Sequence, residues 1–275
     1  MTDFTVVGLI HIINQLLPEP HAGLLAGLLF GTKATLSKEL YNQLVTTGTI
    51  HIIALSGMNI TILIELVASS INSFVSKKIA GVCTLVVIIW FVWFVGPSAT
   101  IIRAAIMGSL SLIAVLFGRQ TWALLSLIIA VGSMLLLHPL WISDLSFQLS
   151  ALATLGIILF GETKKSDIDA QFSKSVAIVV YFFKQNFKLT SAAQLFTVPL
   201  ILFQFHRLSL IAPIANVAIG WVIPLVTTFG WVASIAGFIW VPLGLLPAWA
   251  CYILLEYLVR TVQILSRVPF ASLGF

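Results

Sequence analysis

The chain has 275 residues, of which 60% are hydrophobic and 8% charged, with a mean hydropathy of +1.11. Soluble domains carry roughly 25% charged residues, so the composition excludes an ordinary water-soluble fold and indicates a polytopic membrane protein. Fourteen Lys and Arg against nine Asp and Glu give a formal net charge of +5, an excess that membrane chains place in the connections on one side.

At about 20 residues per spanning helix, the expected fold is all-α, with about seven to nine transmembrane or half-spanning helices plus amphipathic interfacial ones. One membrane-embedded domain over residues 1–275 is expected to use the whole length. The start Met1-Thr2-Asp3-Phe4-Thr5 lacks the basic and compact apolar regions of a signal peptide, so no cleavage is expected. Cys83 and Cys251 sit in apolar runs without CxxC spacing, which implies no disulfide. His11, His21, His51, His138 and His206 are scattered without a ligand-pair motif, so neither a metal nor a cofactor is expected.

In chain order, residues 4–17 form an amphipathic helix stopped by Pro18-Glu19-Pro20, and its His11, Asn14 and Gln15 suit an interface. Gly23, Gly27 and Gly31 then recur every four residues, a spacing that lets another helix approach closely. After a second amphipathic piece over 36–45, full spans are expected at 49–71, 79–95, 98–117, 122–137 and 143–160. Ser143-Asp144 supplies an N-cap and a first-turn acid for the last of these. A polar connection is expected over 161–188, with an amphipathic piece at 176–187, followed by a sixth span over 189–205. Residues 208–267 hold two or three helices broken by Pro213, Pro224, Pro242 and Pro247. Lys77, Lys78, Arg119, Lys164, Lys165, Lys174, Lys184 and Lys188 fall in alternate connections, which the positive-inside rule places in the cytoplasm. His51 then starts its span from the outer side.

Polar residues in the spans carry the functional information, because an unsatisfied polar group in hydrocarbon costs several kcal/mol and persists only beside a partner or water. His51, Met58 and Glu65 share a face, with Ser56, Gly57 and Asn59 in the same run. Arg103 is the one cation well inside a span, where it either faces the bundle interior or snorkels outward. Thr190, Gln194, Thr197 and Gln204 form a stripe on the sixth span. Asn216, Gly220 and Thr227 share a side between two prolines, and Ser143, Ser150 and Thr154, with Gln148 offset, mark a third wall. Such faces either line a watery cavity or bond between helices.

Several runs resemble the competence domain of ComEC-type DNA-uptake channel proteins. They are Ala26-Gly27-Leu28-Leu29-Phe30-Gly31; Thr47-Gly48-Thr49-Ile50-His51 through Ser56-Gly57-Met58-Asn59; and Gly96-Pro97-Ser98 through Arg103-Ala104-Ala105-Ile106-Met107. Gly118-Arg119, Asp144-Leu145-Ser146-Phe147-Gln148-Leu149-Ser150, Ala193-Gln194-Leu195, Pro199, Phe205 and Ala215-Asn216 follow in order. The chain departs from that pattern at Asn59, where His is common, and at Thr32, where an acid is common.

The resemblance implies an inner-membrane, non-enzymatic channel passing single-stranded DNA into the cytoplasm during transformation. His51, Ser56, Gly57, Asn59, Arg103, Gln148, Ser150, Gln194, Thr197 and Asn216 are the candidate lining residues. It also implies single-stranded DNA and the lipid bilayer as partners, together with a separate DNA receptor, nuclease and cytoplasmic ATPase. The soluble OB-like and metallo-β-lactamase-like domains of full-length members are not expected within these residues. A transporter of a small solute or lipid accounts for the same polar stripes. An intramembrane serine protease built on Ser56-Gly57 is a third reading, weakened because Ala54 replaces the first Gly of GxSG.

Overall fold

The computed structural model describes residues 4–32, 36–52, 62, 75–161, 174–205, 207–268 and 272–274. The helix α1 (Val6–Leu16) starts where the Thr5 hydroxyl accepts the Gly8 N–H at 3.1 Å. It buries Leu9, Ile12, Ile13 and Leu16 and leaves His11, Asn14 and Gln15 exposed. Next, α2 (His21–Phe30) is apolar all round, and every one of its residues is buried. A helix without a polar face belongs in a core, and α2 sits against α1, α10 and α11.

Gly31, read from its spacing as a packing residue, closes α2. It adopts φ 73° at the end of α2, and its N–H donates to the Gly27 carbonyl at 2.8 Å, so it is a left-handed helix cap. The amphipathic α3 (Lys38–Thr46) forms as expected, burying Leu40 and Leu44. Beyond a single 3-10 turn (Ile50–Ile52), the expected span over 49–71 lies outside the described residues, and Ser56, Gly57 and Asn59 lie there with it.

Then α4 (Lys77–Val95), α5 (Ala99–Leu116), α6 (Ala123–Leu137) and α7 (Leu145–Phe160) fall within a few residues of the expected spans. Side-chain caps explain most of these starts, with Ser76, Ser98 and Asp144 each accepting an N–H three residues on.

The largest departure is α8 (Lys174–Phe205), a single helix of 32 residues that joins the amphipathic piece expected at 176–187 to the span expected at 189–205 without a break. Polarity does not end a helix. No Gly or Pro occurs between Lys174 and Val198, and Lys, Gln and Ala are good helix formers. Even Pro199 lies inside it.

After α8 come β1 (Arg207–Ser209), α9 (Ala212–Gly220), α10 (Val222–Ile239), α11 (Val241–Ser266) and β2 (Ser272–Gly274). The two three-residue strands pair antiparallel, with Leu208 opposite Leu273, and are a small addition to a helical fold. Pro213 and Pro242 begin α9 and α11 instead of breaking them, in the first-turn positions that proline's missing N–H tolerates.

Among the described residues, four helices are long and apolar enough to cross a membrane: α4, α5, α10 and the 26-residue α11. Shorter apolar helices are α1, α2, α6 and α7. Large apolar side chains stay exposed along them, including Trp93 at 78%, Leu136 at 85% and Leu246 at 82%. Lipid is the solvent that accommodates them, and the protein is an all-α membrane protein.

In lipid there is no hydrophobic drive between helices, so close backbone packing takes its place. Glycines on a seven-residue repeat in α10 and α11 supply it, against α2, α1 and each other in turn. A Cβ on Gly230 would meet Leu25 Cδ1 at 2.6 Å, one on Gly237 would meet Ile12 Cγ2 at 2.8 Å, and one on Gly244 would meet Gly237 Cα at 2.7 Å. Gly23 and Gly27 are buried in α2.

Candidate functional site

Gly96 ends α4 at φ 101°, a left-handed conformation that favours glycine, and Ser98 then caps α5. Arg103 is therefore fixed in the second turn of α5. Its residue is 8% exposed, so it lies inside the protein and does not snorkel. Its Nη1 donates to the Thr154 hydroxyl on α7 and approaches Met107 Sδ at 3.9 Å. Thr154 in turn donates to the Ser150 carbonyl at 2.8 Å.

One of the expected walls, the Ser150–Thr154 turn of α7, thus meets Arg103 of α5. The guanidinium carries five N–H donors, and its Nε is buried without a partner. Among the described residues no carboxylate pairs with it. A buried cation whose donors are incompletely used is costly to maintain, and an anion in reach would relieve that cost.

Helix α8 backs this pair at short range. A Cβ on Gly156 would overlap the Ala192 carbonyl oxygen and lie 3.0 Å from Phe196 Cδ2. On α8, Thr197 is buried and spends its hydroxyl on the Ala193 carbonyl at 3.1 Å, while Gln194 is half-buried. Thr197 is therefore satisfied within its own helix. Gln148 is also accounted for, since its Nε2 donates to the Ile142 carbonyl at 2.6 Å and secures the turn before α7.

A second polar group surrounds the Thr47-Gly48-Thr49 turn. Thr47 and Thr49 hydroxyls are 2.8 Å apart, and both residues are fully buried. His51 Nδ1 lies 3.0 Å from the Gly48 carbonyl, which only accepts, so Nδ1 carries the proton and Nε2 is the ring's acceptor. The turn docks on the end of β1 and the start of α9, with the Ser209 hydroxyl of β1 donating to the Thr46 carbonyl at 2.8 Å. Further along, Asn216 Oδ1 on α9 and Thr227 Oγ1 on α10 are buried without partners. Arg103 and Asn216 belong to different helix contacts, α5–α7 for the former and α9 against α8, α10 and α11 for the latter.

Gly48 is the residue whose importance the sequence hid. It has φ 69°, and an added Cβ would lie 2.6 Å from Ala212 Cβ. Gly48→Ala is expected to cost about 2 kcal/mol or more, from left-handed backbone strain plus overpacking. Thermal unfolding in detergent, followed through the eight tryptophans, checks this.

A sequence model of the family described as "Competence protein" matches residues 28–275. The chain belongs to the competence protein family. It is similar to ComE operon protein 3 of Bacillus subtilis (strain 168), with 25% identity over 206 residues, covering 74% of this chain and 25% of that protein. The uncharacterized protein YcaI of Escherichia coli (strain K12) is 29% identical over 226 residues, covering 78% of this chain and 28% of that one. This competence protein thus spans about a quarter of the length of those curated relatives. No solved structure matches it. Among its described residues no group of three or more His, Cys, Asp or Glu stands close enough to hold a metal ion.

Proposed function

We propose that this competence protein forms a multi-pass conduit in the bacterial inner membrane through which single-stranded DNA reaches the cytoplasm. The observation that carries the reading is Arg103, a buried guanidinium with unused donors beside the Thr154 hydroxyl. Each nucleotide brings one negative charge, which cannot cross hydrocarbon without donors along its way. Sparse hydroxyls, amides and a single cation suit sliding, since a dense Lys/Arg lining would hold the strand in place.

Inward movement of an anion against an inside-negative potential costs about 2.3 kcal/mol per charge per 100 mV. A conduit alone does not supply this, and the sequence contains no GxxxxGK[ST] loop. We assign the drive to a separate cytoplasmic ATPase, and strand presentation and degradation to a separate receptor and nuclease. The chain itself acts as a passage and not as an enzyme.

Deletion of the gene tests the reading. Labelled DNA is expected to bind the cell surface but to fail to reach the cytoplasm, and re-expression is expected to restore passage. Unimpaired passage in the deletion strain, with saturable uptake of a small solute lost instead, contradicts the conduit and favours a solute transporter.

A further inference from the structure

On its exposed face α11 carries Trp249, Ile253 and Tyr257, and then, at the same helical spacing, Arg260 and Arg267. Steps of three, four and seven residues keep these side chains on one stripe. Apolar surface therefore gives way to cations along a single line on a helix long and apolar enough to span.

Beside the cationic end lies an open cleft of about 490 Å³. Arg260, Gln263 and Arg267 line it from α11, and Pro20 and His21 line it from the start of α2. Glu256 also borders it and is engaged from both sides. Its Oε2 lies 2.8 Å from His21 Nε2, and its Oε1 accepts Arg260 Nε. The His21 side chain is only 6% exposed, so this contact anchors the wall between α2 and α11. Arg260 spends Nε there, and its two terminal NH2 groups are left for another acceptor.

The charges that border the cleft do not cancel. One carboxylate stands against two guanidiniums, which leaves one positive charge when His21 is neutral. A monoanionic phosphodiester balances it, and guanidinium forks match phosphate oxygens in geometry.

We propose that this cleft is a binding site for the headgroup of an anionic phospholipid, with an acyl chain lying along Tyr257, Ile253 and Trp249. The apolar continuation decides between the two sources of a phosphodiester. A lipid uses the headgroup site and the hydrocarbon-facing stripe together. A DNA strand would use only the arginines, because Trp249 and Ile253 are each 66% exposed on a helix whose outer face meets lipid. Basic pockets between spanning helices recognise anionic headgroups in this way. The inference stands apart from the transport reading, since it concerns only the lipid contact of α2 and α11.

Native mass spectrometry of the full chain in detergent, supplied with phosphatidylglycerol or phosphatidylcholine, tests it. Phosphatidylglycerol is expected to be retained preferentially. At about a fivefold effect for each arginine near an anionic lipid, Arg260→Ala with Arg267→Ala is expected to weaken retention about thirtyfold. Arg267→Ala alone leaves the Glu256 pair in place, and about fivefold weaker retention at an unchanged thermal midpoint is expected. Wild-type retention by the double variant overturns the proposal. So does displacement of phosphatidylglycerol by oligodeoxythymidylate at equal phosphate concentration, which would give the arginines to the strand.

Discussion

Arg103→Leu is expected to lower the passage of labelled DNA into the cytoplasm about tenfold or more while leaving the protein inserted and at least as heat-stable as the wild type. The loss follows from removing a charge-assisted donor, worth about 1.5 to 3 kcal/mol to a bound anion. The gain in stability follows from the cost of a buried cation, which insertion scales put at about 2.5 to 3.5 kcal/mol for Arg at the centre of a spanning helix. Exchanging a buried charge for an apolar side chain of similar volume is often neutral or stabilising.

Opposite signs for stability and transfer distinguish a functional cation from a structural one. If the Arg103–Thr154 contact only held α5 to α7, both quantities would fall together. Arg103→Lys keeps the charge without the planar fork and is expected to lie between the two. Quantifying membrane-inserted protein, thermal midpoint and internalised label for the three forms settles the order.

Gly156→Val is expected to be the most damaging single change to the fold, costing about 3 kcal/mol, the upper part of the usual overpacking range. The obstacle is the Ala192 carbonyl oxygen, a backbone atom that cannot rotate out of the way. Helices α7 and α8 must separate, and Thr154, half a turn from Gly156, moves with them. Stability and DNA transfer are therefore expected to fall together, unlike the Arg103→Leu case. Gly132→Ala on α6 is the control, because a Cβ there meets nothing within 4 Å. It is expected to be neutral or slightly stabilising, since Ala is the better helix former by about 1 kcal/mol. Thermal unfolding of both variants in the same detergent gives the comparison.

The spans were legible because apolar runs end at strong punctuation: Gly96-Pro97, Gly118-Arg119 and Ser143-Asp144 all mark helix limits. The amphipathic piece at 176–187 was legible, but its continuity with the next span was not, because the polar residues up to Lys188 read as a connection whereas only backbone chemistry breaks a helix. The spacing of Gly31 suggested packing and did not reveal that its place at the end of α2 makes it a cap.

At the candidate site, the sequence singled out Arg103 by its place in an apolar run but left it open between the bundle interior and the outer surface. Its partner was not legible, since Thr154 lies 51 residues away and pairing across helices leaves no local pattern. The Gly230, Gly237 and Gly244 approaches were hidden for a related reason. They are spaced by full heptads, and each becomes a contact only once a distant helix arrives: α2 at Gly230, α1 at Gly237 and α10 at Gly244.

The central claim is that polar side chains from several helices face shared water. Its most direct test replaces Cys83 and Cys251 with Ala and places single cysteines at Ser150, Gln194 and Asn216, with Leu136 and Leu246 as lipid-facing controls. A membrane-impermeant thiol reagent is then applied to cells with and without transforming DNA. The account predicts labelling at the three polar positions, reduced while DNA is passing, and little labelling at the two leucine positions. Unreactive cysteines at all three polar positions, under both conditions, would mean a dry interior and would contradict it.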